Sequence, residues 1–188
     1  MSRAPLTLSC TEDELDALWP VALGLSLVTG TPFRLEATAG GPPLVARSKH
    51  LSMARVAAQL ADAPLGETLA FPGDGEGRCA SVREVHLDVG ALGIAQTLTW
   101  LLPAMSLSGG GTLHLRGATH PASGPITQSV SLWWPTILAA FSRHLEVKLE
   151  RAGFAPQAGG AITARISGTR GTAPALLELL RRGTLHEV

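Results

Sequence analysis

The stretch Pro32-Phe-Arg-Leu-Glu-Ala-Thr-Ala-Gly-Gly-Pro-Pro43 sets the reading of the chain. Phe33, Leu35 and Ala37 alternate with Arg34 and Glu36, the period of a strand with one face buried and the other in water. Ala39-Gly-Gly-Pro-Pro43 then ends the strand as a loop, because glycine frees the backbone and proline removes a ladder donor. About 80 positions later the pattern returns. His114-Leu-Arg-Gly-Ala-Thr119 echoes Arg34-Leu-Glu-Ala-Thr38, and His120-Pro-Ala-Ser-Gly-Pro125 echoes the loop.

Around the first copy, residues 5–10 read as a strand, and Thr11 with Glu14 forms a capping-box pattern at a helix start. Residues 16–29 are ambiguous: Val21, Leu23, Leu25 and Leu27 alternate as in a strand, whereas Gly30 after a long apolar run is a helix stop. Pro20 must begin or kink any helix there. A helix is expected over 48–61, with Leu51, Ala54, Ala58 and Ala61 on its buried face, and strands over 67–71 and 82–89 flank a glycine-rich turn. The second copy is framed by helices over 92–105 and 127–144 and strands over 112–116, 145–151 and 161–166. A last helix is expected over 174–182. The order of elements repeats, which predicts an α+β, two-layer protein of tandem βαβαββ units. The expected divisions are 1–89 for the first unit, 90–170 for the second and 171–188 for a helix and tail.

Composition narrows the function classes. The 188 residues are 45% apolar, and 15 basic residues balance 15 acidic ones. Such neutrality removes the electrostatic footprint of a duplex DNA binder, while leaving room for a local phosphate pocket. Cys10 and Cys79 are too few for a disulfide framework or a four-thiolate zinc site. The longest apolar run, 15–28, is interrupted by Asp16 and Pro20 and falls short of a membrane span, and no signal-peptide core follows Arg3. A cytoplasmic protein that does not engage membranes is expected.

Several motifs in order resemble RNA 3′-terminal phosphate cyclases. They are Leu25-Ser-Leu-Val-Thr-Gly-Thr-Pro-Phe33, His50-Leu51, Asp88-Val-Gly90, Leu101-Leu-Pro103, Leu115-Arg-Gly-Ala-Thr119 and Arg151-Ala-Gly-Phe-Ala-Pro156 with Gly159-Gly160. The resemblance covers about 17–188. It implies repeats like the C-terminal domain of translation initiation factor three, and it reads 16–29 as helix. It further implies an ATP- and Mg²⁺-dependent conversion of an RNA 3′-phosphate to a 2′,3′-cyclic phosphate, through a histidine–AMP intermediate. The chain accommodates the first two repeats; the inserted domain, third repeat and nucleophilic histidine fall outside it, so no catalytic residue is assigned.

The resemblance carries over residue by residue. Where the family has a glycine triplet, Gln and Arg, this chain has Glu14-Leu-Asp16, Ala17 and Pro20. Where the family has an Arg-Ala-Gly-Arg clamp, the chain reads Thr38-Ala-Gly-Gly41. His50 takes the position of a loop-helix histidine, after Lys49 in place of Gln. The helix glutamine that meets the nucleotide falls near Thr99, with Gln96 one turn earlier, and Pro125 matches a proline lining the nucleotide pocket. Losing cationic clamps removes the stabilisation on which phosphoryl transfer depends.

The nucleotide- or phosphate-binding candidates are therefore His50, Gln96, Thr99, His120 and Pro125. Beside Arg47 and Lys49, His50 is either an anion ligand at a helix N-terminus or a solvated helix-start residue. His120 joins the same cleft if the loops of the two repeats face it. His86 and His114 read as edge or surface strand residues, and no histidine pair has a local zinc spacing. Gly109-Gly-Gly111 precedes a strand and lacks a following Lys, so it is a turn and not a phosphate loop. Trp133 and Trp134 read as core or interface residues rather than a base-stacking platform. The expectation is a cyclase-like protein, truncated or catalytically degenerate. The alternative is a non-catalytic RNA-end-binding or oligomeric scaffold, with a homodimer expected through Trp133, Trp134 or the first apolar helix.

Overall fold

The structure is a computed structural model and describes residues 4–65, 69–72 and 84–167. The expected helix over 174–182, the glycine-rich turn, Cys79 and His186 lie outside these residues.

The first unit runs β1 (Leu6–Cys10), α1 (Glu12–Thr29), β2 (Phe33–Ala37), α2 (Ser48–Ala61) and β3 (Ala70–Phe71). The second runs β4 (Glu84–Gly93), α3 (Ile94–Leu107), β5 (Gly111–Ala118), α4 (Thr127–Ala139), β6 (His144–Arg151) and β7 (Gly160–Ser167), a complete βαβαββ. Each echoing stretch forms the hub of its sheet. β2 is parallel to β1 and antiparallel to β3, just as β5 is parallel to β4 and antiparallel to β7. The sheet orders are β1-β2-β3 and β4-β5-β7-β6.

One division shifts. Residues 84–89 were expected to close the first unit, but β4 pairs with β5 along its length, so the seam between sheets falls before Glu84 and not after Val89. A strand pattern in sequence shows which face is buried and not which sheet receives it.

The ambiguous segment is one helix. Thr11 donates both its backbone N–H and its hydroxyl to Glu14 Oε2 at 2.9 Å, closing the N-terminus, and Gly30 at φ 73° ends the helix. Pro20 sits inside it without splitting it. The alternation of Val21 and Leu25 with Leu23 and Leu27 reflects two uses of one helix: Leu23 and Leu27 are buried, whereas Val21 and Leu25 are exposed. On α2 the buried face runs through His50, Met53, Ala57 and Leu60, and Leu51 points outward, correcting its expected place in the core. α4 stops at Ala139, short of 144, because the chain turns through Ser142 at positive φ before β6 begins.

In the second sheet one face is buried and the other open. Leu113, Leu115, Ile162, Ala164 and Ile166 pack beneath the helices, while His114, Arg116, Thr163 and Arg165 lie on the open side. The two units join through their helices, with α1 against α3. Gly24 makes this approach possible: a Cβ there would lie 2.9 Å from the carbonyl oxygen of Trp100. Leu23, Leu27, Leu98, Leu101 and Leu102 are buried in one continuous core, each contributing roughly 1.5–3 kcal/mol by leaving water. The turn Gly109–Gly111 is structural, and a Cβ at Gly110 would strike the Ile166 carbonyl.

Candidate functional site

The first cationic feature lies where α1 meets the N-terminus of α2. Asp16 reaches from α1 to three groups: Arg47 Nη1 at 3.1 Å, the Lys49 ammonium, and His50 Nε2 at 2.8 Å. Arg47 also meets Glu12 Oε1 at 3.3 Å. The hydrogen bond from Lys49 is the main influence holding the Asp16 carboxyl below its ordinary value. The His50 bond and the charges of Lys49 and Arg47 act in the same direction, against partial burial.

His50 is neither solvated nor free. It is 1% exposed, and its Nδ1 accepts the Arg47 backbone N–H at 3.1 Å. That bond leaves the proton on Nε2, which donates to Asp16. Its own carbonyl accepts the Trp19 indole N–H at 2.9 Å. Nε2 thus ties α2 to α1, while Nδ1 caps the start of α2 itself.

A different part of the α1–α3 junction forms an open apolar groove of about 360 Å³, lined by Pro20, Val21, Gly24, Leu25 and Val28 on one side and Gln96, Thr99, Trp100 and Pro103 on the other, with Pro125 at its end. Three of the five candidates, Gln96, Thr99 and Pro125, thus share one surface. Gln96 and Thr99 are both exposed, and the Thr99 hydroxyl donates to the Ala95 carbonyl at 2.9 Å. Among the described residues the buried Trp100 indole N–H has no partner. Beyond Gln96 opens a more polar groove of about 610 Å³, where Lys49, Ser48 and Ser52 of α2 face Asp88, Gly90 and Ser123. Gln96 lines both.

The sequence profile of a family described as RNA 3′-terminal phosphate cyclase matches residues 18–178. The chain belongs to this family. It is 35% identical to the RNA 3′-terminal phosphate cyclase of Methylococcus capsulatus, in an alignment covering 89% of this chain and 49% of that protein. The proteins of that name from Ralstonia nicotianae and Nostoc punctiforme are each 31% identical, over 89% of this chain and 49% and 51% of theirs. The chain spans about half the length of the curated relatives it matches.

Asp16, which is not among the candidate site residues, is the group that holds Lys49, Arg47 and His50. Sequence reasoning does not single out this contact. Its signal was the opposite charge of 12–16 and 47–49, segments whose contact the sequence does not disclose.

His120 stands apart from the other candidates and lines neither groove. Thr119, fully buried, anchors it: its hydroxyl donates to the Gly153 carbonyl at 3.0 Å and accepts the Gly153 N–H at 2.8 Å. With its only proton so used, Thr119 Oγ1 accepts from His120 Nδ1 at 2.9 Å. Nε2 then carries the lone pair, facing the Gln128 amide at 3.4 Å, and the ring stacks on Phe154 at 4.6 Å. Trp134 packs against the core, whereas Trp133 is 69% exposed. Among the described residues no helix is long and apolar enough to cross a membrane.

Proposed function

We propose that this chain is a catalytically degenerate RNA 3′-terminal phosphate cyclase-like protein that binds a nucleotide or an RNA end in the groove at Gln96, Thr99 and Pro125. One observation carries the reading: Asp16 satisfies the cations that a substrate phosphate would otherwise meet at the start of α2. An incoming phosphate must displace a carboxylate already in charge-assisted contact, so the corner favours its own anion over an external one.

The groove suits a flat, weakly polar body better than a polyphosphate. Among the described residues its lining offers prolines, the Trp100 ring and one exposed amide, and no Lys or Arg. A purine and its sugar would be held by Gln96, Trp100 and Pro125. Among the described residues, the phosphates of ATP, which supply the activating group in the family reaction, would have only Lys49 as a groove-lining cation, and Lys49 is paired with Asp16. Among the described residues Mg²⁺ would find one groove-lining carboxylate, Asp88, which already accepts the Gly90 N–H at 2.9 Å. The base-binding half of an ATP site fits, and the phosphate- and metal-binding half does not, so no step is routed through either.

The test is incubation of the chain with RNA bearing a labelled 3′-phosphate, ATP and Mg²⁺. Retention of RNA on a filter with the label still phosphatase-sensitive supports the reading. Phosphatase resistance overturns it.

A second reading, a homo-oligomeric scaffold, is favoured by one feature. Leu132, Trp133 and Ile137 are 71%, 69% and 47% exposed on a single helix, an apolar patch of the kind that marks interfaces. A monomer by light scattering at micromolar concentration removes it.

A further inference from the structure

We propose that the open face of the second sheet carries a binding site for a first-row transition-metal dication such as Zn²⁺, ligated by Glu84, His86 and His114. The strands build it by register. Glu84 and His86 are two apart on β4 and share a face, and His86 lies directly opposite His114 on the parallel strand β5. His114 Nε2 is 2.8 Å and His86 Nε2 3.8 Å from Glu84 Oε1, and one ligand atom from each of the three lies within 4.8 Å of the others. Zinc bonds of about 2.0–2.1 Å at tetrahedral angles place ligand atoms roughly 3.3 Å apart. The observed separations bracket that value. The imidazole planes are nearly parallel, 12° apart with centroids at 4.4 Å, so a modest tilt of each ring brings both nitrogens onto one ion.

A supporting residue stands behind the first ligand. Thr163, opposite His114 in the β5–β7 ladder, places Oγ1 3.1 Å from His114 Nδ1. Without metal, His114 Nε2–H donates to Glu84 and Nδ1 accepts the Thr163 hydroxyl. With metal on Nε2, the ring proton resides on Nδ1 and donates to Thr163 Oγ1, while Glu84 changes from acceptor to ligand. The neutral ring keeps its one proton throughout, and both states are fully hydrogen-bonded. Two imidazoles and one carboxylate suit zinc, cobalt, nickel or copper and disfavour magnesium and calcium. A fourth position faces the trough of about 440 Å³ lined by Asp88, Arg116 and Glu150, open to water or a small anion.

The experiment is Zn²⁺ titration of the tag-free full chain by calorimetry, with Co²⁺ absorption reporting coordination geometry. The expected result is one ion per chain at micromolar or tighter affinity, with an intense four- or five-coordinate Co²⁺ spectrum. His86→Ala, His114→Ala and Glu84→Gln should each weaken binding tenfold or more, and Thr163→Val about tenfold through the lost outer partner. His144→Ala, an exposed histidine on β6, should leave binding unchanged. His86 is 75% exposed, so its replacement leaves the fold intact and decides the matter even where His114→Ala lowers stability. No saturable binding at micromolar Zn²⁺, or binding that His86→Ala leaves within twofold, overturns the proposal.

Discussion

Replacing Asp16 probes the whole α1–α2 corner, and its two natural substitutions separate charge from hydrogen bonding. The pairs with Arg47 and Lys49 are half in water, with side chains 40–49% exposed, so each contributes only about 0–1 kcal/mol after screening. The bond to His50 differs, because the histidine is 1% exposed and, among the described residues, its Nε2–H has no other acceptor. Leaving it unmet costs about 1–3 kcal/mol. Asp16→Ala should therefore lose about 2–4 kcal/mol of stability at pH 7, and Asp16→Asn, which keeps an acceptor oxygen, about 1 kcal/mol. The pH dependence has a definite sign. The folded-state pKa of Asp16 lies below its ordinary value of 3.8, so its charge stabilises the fold fully above that value. This contribution is lost as pH falls through the lower, folded-state pKa. The gap between wild type and Asp16→Asn should close on acidification to that range. Urea unfolding followed by tryptophan fluorescence, from pH 7 downward, measures it. Equal stability of wild type and Asp16→Ala at pH 7, or an Asp16→Asn gap that persists unchanged into acid, refutes the reasoning.

Other expectations follow from the same contacts. His50→Ala should lower the unfolding free energy by about 2–4 kcal/mol, since it deletes a buried ring and the acceptor for the Arg47 N–H, and calorimetry would show this whether or not nucleotide is present. Gly24→Ala drives a methyl to 2.9 Å from the Trp100 carbonyl and should cost about 1–3 kcal/mol, seen as a fall in Tm of roughly 2–4 °C per kcal/mol. Thr119→Val removes both Gly153 bonds at a fully buried site and should cost about 2–4 kcal/mol; an unchanged Tm would show that the His120 loop is held by other means. Trp133→Ser should leave the Tm unchanged and, if α4 is an interface, reduce sedimentation to that of a monomer.

The twofold plan was legible because its signals are local. Alternation over Phe33–Ala37 and its echo after Gly111 located the two central strands, and the capping box at Thr11 with the glycine stop at Gly30 bounded α1. What alternation does not encode is partnership, which is why Glu84–Val89 was assigned to the wrong sheet. The candidate site was partly legible for the same reason. Gln96 and Thr99 share a helix face by spacing, and Pro125 meets them through the loop after β5. At His50 the sequence shows a polar residue beside two cations and leaves an anion ligand and a solvated residue both open; the packing of Trp19 and Asp16 around it makes it a buried strut. The pairing of His86 with His114 rests entirely on strand register, so no local motif announced it.

The most direct measurement compares two RNA oligonucleotides, ending in a 3′-phosphate or a 3′-hydroxyl, for binding to wild type and Asp16→Asn at fixed salt. The account predicts that wild type discriminates little between them. Asp16→Asn, with Lys49 released and Arg47 left to Glu12 alone, should gain a preference of about tenfold for the 3′-phosphate, the worth of one charge-assisted contact of about 1.4 kcal/mol. A strong 3′-phosphate preference in wild type, abolished or unaltered by Asp16→Asn, would contradict the claim that the chain's own carboxylate closes this corner.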